Sequence, residues 1–139
     1  MILFRGGSVG GQDMPIAIVS VPVTDVARAR TFYVETLGLV VLRDEAMGPD
    51  MRWVQLQPKD GGATVALVTW FDAMPPGSVQ GLMLAVDDID AEHARLAAAG
   101  VTVSPVDEQP WGRFTMLQDP DGNGWIVAQL TNPGEVKTR

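Results

Sequence analysis

The sequence predicts an α+β protein in which two βαβββ modules form a curved mixed-sheet cleft, and three observations predict it. First, Arg52-Trp53-Val54-Gln55-Leu56-Gln57-Pro58-Lys59-Asp60-Gly61-Gly62 returns as Arg113-Phe114-Thr115-Met116-Leu117-Gln118-Asp119-Pro120-Asp121-Gly122-Asn123, with Arg, Leu, Gln, Asp and Gly coinciding at a constant spacing of 61 residues. Second, Val23-Thr24-Asp25 opens a helical stretch ending near Gly38, and Val86-Asp87-Asp88 opens another ending near Gly100. Two modules of about sixty residues therefore follow one another in the chain. Third, 139 residues with 46% hydrophobic content can bury one core, or two small halves sharing one, but not two large independent domains.

Each element has a local reason. Residues 1–13, glycine-rich after a short apolar stub, read as a flexible leader too short for a signal-peptide core or membrane span, and Met14 is a candidate start. The first module is placed at 14–74. Residues 16–23 are apolar and β-branched, hence a strand; Asp25 caps a helix over 26–37 that Gly38 stops. Strands are expected at 39–43, 52–57 and 64–70, joined by an irregular loop through Met47-Gly48-Pro49-Asp50 and a turn at Asp60-Gly61-Gly62. The second module, at 75–131, repeats the order: a strand at 81–86, a helix at 89–99 stopped by Gly100, and strands at 101–106, 113–118 and 124–130. Residues 132–139 read as a tail. Asp119-Pro120-Asp121-Gly122-Asn123 reads as a tight turn, because positive φ falls on Gly or Asn. A four-stranded half leaves one apolar sheet face, so paired halves bury it and the cleft between them is the default binding site.

Composition narrows the chemistry. With no cysteine, disulfides, thiolate metal sites and cysteine nucleophiles are excluded, and a cytoplasmic location is expected. A formal charge of −7 repels phosphate backbones and anionic lipid, so neither nucleic acid nor a membrane is an expected partner, and a cationic or neutral small molecule is.

Val23-Thr24-Asp25, then Phe32-Tyr33 and Leu37-Gly38, then Gly100-Val101, and finally Asp119-Pro120-Asp121-Gly122-Asn123 resemble the vicinal oxygen chelate superfamily, the glyoxalase, bleomycin-resistance and extradiol-dioxygenase group, over about residues 14–131. The resemblance implies a divalent metal held by His, Gln or Glu near the start of the first strand and on the last strand of each module. The matching positions fall near Ile18, Val65, Gly81 and Ile126, which carry no ligating group. Gln80 and Gln129 are the nearby amides, weak ligands without charged companions, so no metal and no cofactor are expected. The sole histidine, His93, falls on the second helix and reads as a packing residue. Ser20 has no base placed beside it, so no catalytic residue is identified.

Ligand-binding candidates are Trp53, Phe114 and Trp125 on strands, Trp70 and Trp111 at strand ends, and the matched cations Arg52 and Arg113. The aromatics either fill the core or line the cleft. Exposed aromatics at a cleft mouth could close over a ligand or bury a dimer contact. Arg52 and Trp53 are neighbours on a strand and cannot both face the cleft; the same holds for Arg113 and Phe114. Asp44, Glu45, Asp50, Asp107 and Glu108 precede the third strand of each half and would attract cations if those segments border the cleft, or else form a solvated acidic surface. The expectation is a metal-free homodimer that binds a small molecule, sequestering a cationic or aromatic compound as the superfamily's antibiotic-binding branch does. The alternatives are a lyase, isomerase or dioxygenase with unplaced metal ligands, or an interaction subunit that uses its loop aromatics.

Overall fold

The computed structural model describes residues 12–59 and 61–131. The tail, most of the leader and Asp60 of the first turn lie outside these residues. Elements run β1 (Ile18–Pro22), α1 (Val26–Thr31), a π turn (Phe32–Thr36), β2 (Val40–Gly48), β3 (Met51–Gln57), β4 (Thr64–Val68), β5 (Leu82–Ala85), α2 (Ile89–Ala98), β6 (Asp107–Gln109), β7 (Gly112–Gln118) and β8 (Gly124–Leu130). They form two four-stranded sheets of one topology, β1-β4-β3-β2 and β5-β8-β7-β6. In each, the first and last strands of the module are parallel neighbours and the remaining pairs are antiparallel. The fold is α+β with two mixed sheets.

Both helices start as the sequence predicts. The Asp25 carboxylate accepts from Arg28 N at 3.0 Å and that of Asp88 from Ala91 N at 3.1 Å, satisfying first-turn amides that have no intrahelical partner. Three expectations are corrected. The first helix does not run evenly to residue 37: after Thr31 it widens into a π turn, which swings Tyr33 into the core. Strand β2 continues through Gly48 instead of stopping at residue 43, because register shifts between Val41 and Arg43 and between Ala46 and Gly48 keep it paired to β3. Asp44 and Glu45 are therefore strand residues, not loop residues. Residues 101–106 are not a strand; the partner of β7 is the three-residue β6. At Ser104 the hydroxyl oxygen accepts Met116 N at 2.8 Å while Ser104 N donates to Met116 O at 3.0 Å, and Pro105 has no amide to donate. The valines of this segment, Val101, Val103 and Val106, still pack on the core.

One apolar core serves both halves. Val21, Val54, Leu56, Val65 and Leu67 of the first sheet, Leu117, Trp125 and Val127 of the second, and Ala29, Tyr33, Ile89 and Leu96 from the helical segments form a single cluster. Period-two alternation then leaves one further face on each sheet, carrying Ile18, Ser20, Ala66, Trp53 and Gln55 in the first half and Met83, Ile126, Phe114 and Met116 in the second. Ile18, Met83 and Met116 are 41%, 43% and 51% exposed, so these faces are open at those positions, while Ala66 on the first is covered.

The halves are joined by a buried polar network that begins in the Asp119–Asn123 turn. Asp119 Oδ1 accepts Asp121 N and Asn123 N, both at 2.9 Å, and its Oδ2 accepts Asn123 Nδ2 at 2.8 Å and the Tyr33 hydroxyl at 2.6 Å. Asn123 Nδ2 also donates to Pro22 O at 2.8 Å, and Trp125 Nε1 donates to the Tyr33 oxygen at 2.9 Å. At its rim the Thr24 hydroxyl donates to Asp121 Oδ1 at 2.6 Å. The segment is a turn with its positive φ on Gly122, and it also joins the modules.

Candidate functional site

Each open face carries a stacked aromatic pair. Trp53, at the start of β3, stacks on Trp70, just past β4, with ring centres 6.2 Å apart and planes 29° from parallel. Phe114, near the start of β7, stacks on Trp111, just before that strand, at 5.0 Å and 18°. The pairs occupy related places: Trp53 and Phe114 are equivalent in the repeat, and Trp111 O accepts the amide of Thr131, one residue past β8, while Trp70 lies two residues past β4. Trp111 is 43% exposed. Trp53 Nε1 donates to Gln55 Oε1 at 3.3 Å, and Gln55 Nε2 donates to the Thr64 hydroxyl at 2.9 Å, so the first face carries a polar line beside its aromatics. The second face has thioethers and aliphatics in the corresponding region, Met83, Met116 and Ile126. Gln55 was missed as a candidate because a strand glutamine gives no sequence signal that it will border an aromatic pair.

The arginines lie on the other side. Arg52 makes a two-pronged pair with Asp44, both contacts at 2.8 Å, and Arg30 of α1 joins the same carboxylate at 3.0 Å as an ion pair without hydrogen-bond alignment. Arg113 grips Asp90 of α2 at 2.9 and 3.1 Å. Because their partners are on or bridge to helices, both guanidiniums sit on the helix-bearing faces, and strand alternation leaves the open faces to Trp53 and Phe114. Arg52 and Arg113 are thus committed to carboxylates away from the open faces. Trp125 is 3% exposed, packs edge-on to Tyr33 and spends its N–H inside the core network.

The Arg52 and Arg30 guanidiniums hold the Asp44 carboxyl below its ordinary value, chiefly through the Arg52 hydrogen bonds. A depressed folded-state pKa contributes stability that is present above the unfolded value and lost as pH falls through the folded one. Urea midpoints are thus expected to drop below about pH 4, and Asp44→Asn to remove part of that dependence at a cost of at most about 1 kcal/mol near neutrality, since the pair is substantially solvated.

Among the described residues, the positions that the family resemblance implies for a metal carry no ligating side chain. Ile18, Met83 and Ile126 on the open faces are aliphatic or thioether, Val65 points into the core, and Gly81 has no side chain. Thr64, beside Val65, already donates its hydroxyl to Ala17 O at 3.0 Å. Among the described residues, no three His, Cys, Asp or Glu side chains gather where they could share an ion. Gln80 Nε2 donates to Gly77 O and Gly122 O at 3.1 and 3.0 Å, and Gln129 Oε1 accepts Ile89 N at 3.0 Å, capping α2. His93 Nε2 bonds to Ser104 O at 3.0 Å, steadying the irregular segment before β6. A shallow pocket of about 190 Å³ lies between Pro22, Val68, Phe71 and Met74. It is smaller than the roughly 300–1,000 Å³ in which drug-sized ligands are enclosed.

Two βαβββ halves with open, aromatic-bearing sheet faces define the class of protein. The profile of the Glyoxalase/Bleomycin resistance protein/Dioxygenase superfamily matches residues 16–127, and the chain belongs to this family. It is similar to the crystal structure of TnmS3, an antibiotic binding protein from Streptomyces sp. CB03234, with 43% identity and a TM-score of 0.81 over 89% of this chain and 100% of that one. A glyoxalase/bleomycin resistance protein from the same Streptomyces strain is 47% identical, with a TM-score of 0.75 over 82% of this chain and 99% of its own. The uncharacterized protein YetH of Bacillus subtilis (strain 168) is 30% identical over 82% of this chain and 97% of its length.

Proposed function

We propose that this protein binds a small aromatic or cationic compound and sequesters it without chemical conversion, acting as a homodimer in the cytoplasm. The observation that carries the reading is the pair of aromatic stacks, Trp53 with Trp70 and Trp111 with Phe114, at related places on two open sheet faces. Their flat, polarizable rings suit a planar ligand, and the exposed Ile18, Met83 and Met116 on the same faces suit burial against a second copy. Facing the open sheet of one subunit with that of another would turn two shallow surfaces into enclosed clefts. The 43% identity to an antibiotic binding protein over nearly the whole chain supports the same reading, and no helix among the described residues is long and apolar enough to cross a membrane.

The test is metal uptake together with oligomeric state. Chelator-treated protein is expected to sediment as a dimer and to show no stoichiometric uptake of nickel, zinc, manganese or ferrous iron. Tight one-to-one uptake would overturn sequestration in favour of a metal-dependent lyase, isomerase or dioxygenase.

A further inference from the structure

We infer that the second half holds the cationic part of the ligand, with Asp107 as the counter-ion and the Trp111–Phe114 stack as the surface over which a protonated amine lies. This inference rests on the proposed small-molecule binding and specifies the chemistry of one half of that site.

It follows from how the repeat diverges. In each half a carboxylate stands directly across the sheet from the open-face aromatic: Glu45 opposite Trp53 and Asp107 opposite Phe114. Directly opposed residues of an antiparallel pair share a face, with Cβ atoms about 4.5–5.5 Å apart. In the first half the carboxylate has a protein partner, since Arg43, two residues earlier in β2, reaches Glu45 at 3.2 Å. In the second half the residue two before Asp107 is Pro105, which has no charge. The arginines of residues 75–131 are Arg95 and Arg113. They are tied to Glu92 at 2.6 Å and Asp90 at 2.9 Å, the latter on the helix-bearing face. Among the described residues no cation lies within 4 Å of Asp107, while 43% of Trp111 is open to solvent. A carboxylate beside an exposed aromatic stack attracts an ammonium group twice, by charge and through the negative ring face. Glu108, the next residue, alternates to the other face and lies opposite Arg113. The two adjacent acids therefore have different tasks despite equal charge.

Tryptophan fluorescence titrations with 9-aminoacridine and acridine, run where the first is protonated and the second is not, test this on the full-length protein. Wild type is expected to bind the cation about ten-fold more tightly than the neutral ring. Asp107→Asn should bring the two affinities together without weakening acridine, whereas Glu108→Gln should keep the preference. Equal affinities in wild type, a preference that survives Asp107→Asn, or one lost equally in Glu108→Gln would overturn the assignment to Asp107 and leave small-molecule binding standing. Failure of both probes to bind would overturn this inference and count against the broader reading as well.

Discussion

Replacing Asp119 by alanine is expected to lower the stability of the folded chain by about 3–5 kcal/mol, a large part of the roughly 5–15 kcal/mol that holds a domain of this kind together. The carboxylate is 5% exposed and takes four hydrogen bonds, two from backbone amides, one from Asn123 and one from Tyr33. Its loss leaves the Asn123 amide and the Tyr33 hydroxyl buried without their partner, and it loosens the attachment of the second half's β7–β8 turn to Pro22 and the π turn of the first. Urea denaturation of the variant checks the magnitude. Tyr33→Phe, which removes one donor to Asp119 and the acceptor of Trp125 Nε1, should cost less, about 1–3 kcal/mol. Tyr33 also gives the network a spectroscopic marker, because it is the only tyrosine in the chain. Burial, and after it the Asp119 hydrogen bond and charge, push its phenol far above the usual range. A raised folded-state pKa means stability that is complete below the unfolded value near 10 and declines as pH rises beyond it. Phenolate absorbance should consequently emerge only as the protein unfolds in alkali, whereas a titration near the ordinary tyrosine value in the folded state would contradict the network.

The second large effect concerns binding. Trp53→Ala combined with Phe114→Ala is expected to weaken the binding of an aromatic ligand about 100-fold or more, each ring contributing roughly 1–3 kcal/mol of stacking. Folding stability should change much less than in the Asp119 variant, because both rings stand on the open faces and outside the core cluster. Isothermal titration of the double variant checks this, with Arg52→Ala as the comparison. That guanidinium is committed to Asp44 on the helix-bearing face, so its removal should leave ligand affinity unchanged.

The contrast between these variants shows which parts of the molecule can be read from the sequence. The repeat beginning at Arg52 and Arg113, the caps at Asp25 and Asp88, and the turn glycines specify the order of elements because each acts locally, through periodicity, a single hydrogen bond or a backbone angle. The π turn at Phe32 has no such signature; it follows from the need to deliver Tyr33 to Asp119, 86 positions away in sequence. Residues 101–106 have the alternating valines of a strand, yet the Ser104 hydroxyl takes over a ladder bond and Pro105 interrupts the rest. The candidate site was half visible in the same sense. Strand alternation requires Trp53 and Arg52 to part company, but only the position of α1 and its Arg30 decides which of them faces the helix. Likewise, nothing in the chain near Trp125 announces that its ring belongs to the core, since its partner Tyr33 comes from the other half.

Binding without conversion on the aromatic-bearing faces is open to test by affinity-selection mass spectrometry. Purified protein would be incubated with a panel of aromatic antibiotics, separated from unbound compounds by size, and the retained compounds weighed. Stoichiometric retention of at least one compound at its original mass is expected, and its loss in the Trp53→Ala/Phe114→Ala variant. Retention or release of a compound with altered mass would show turnover and contradict it.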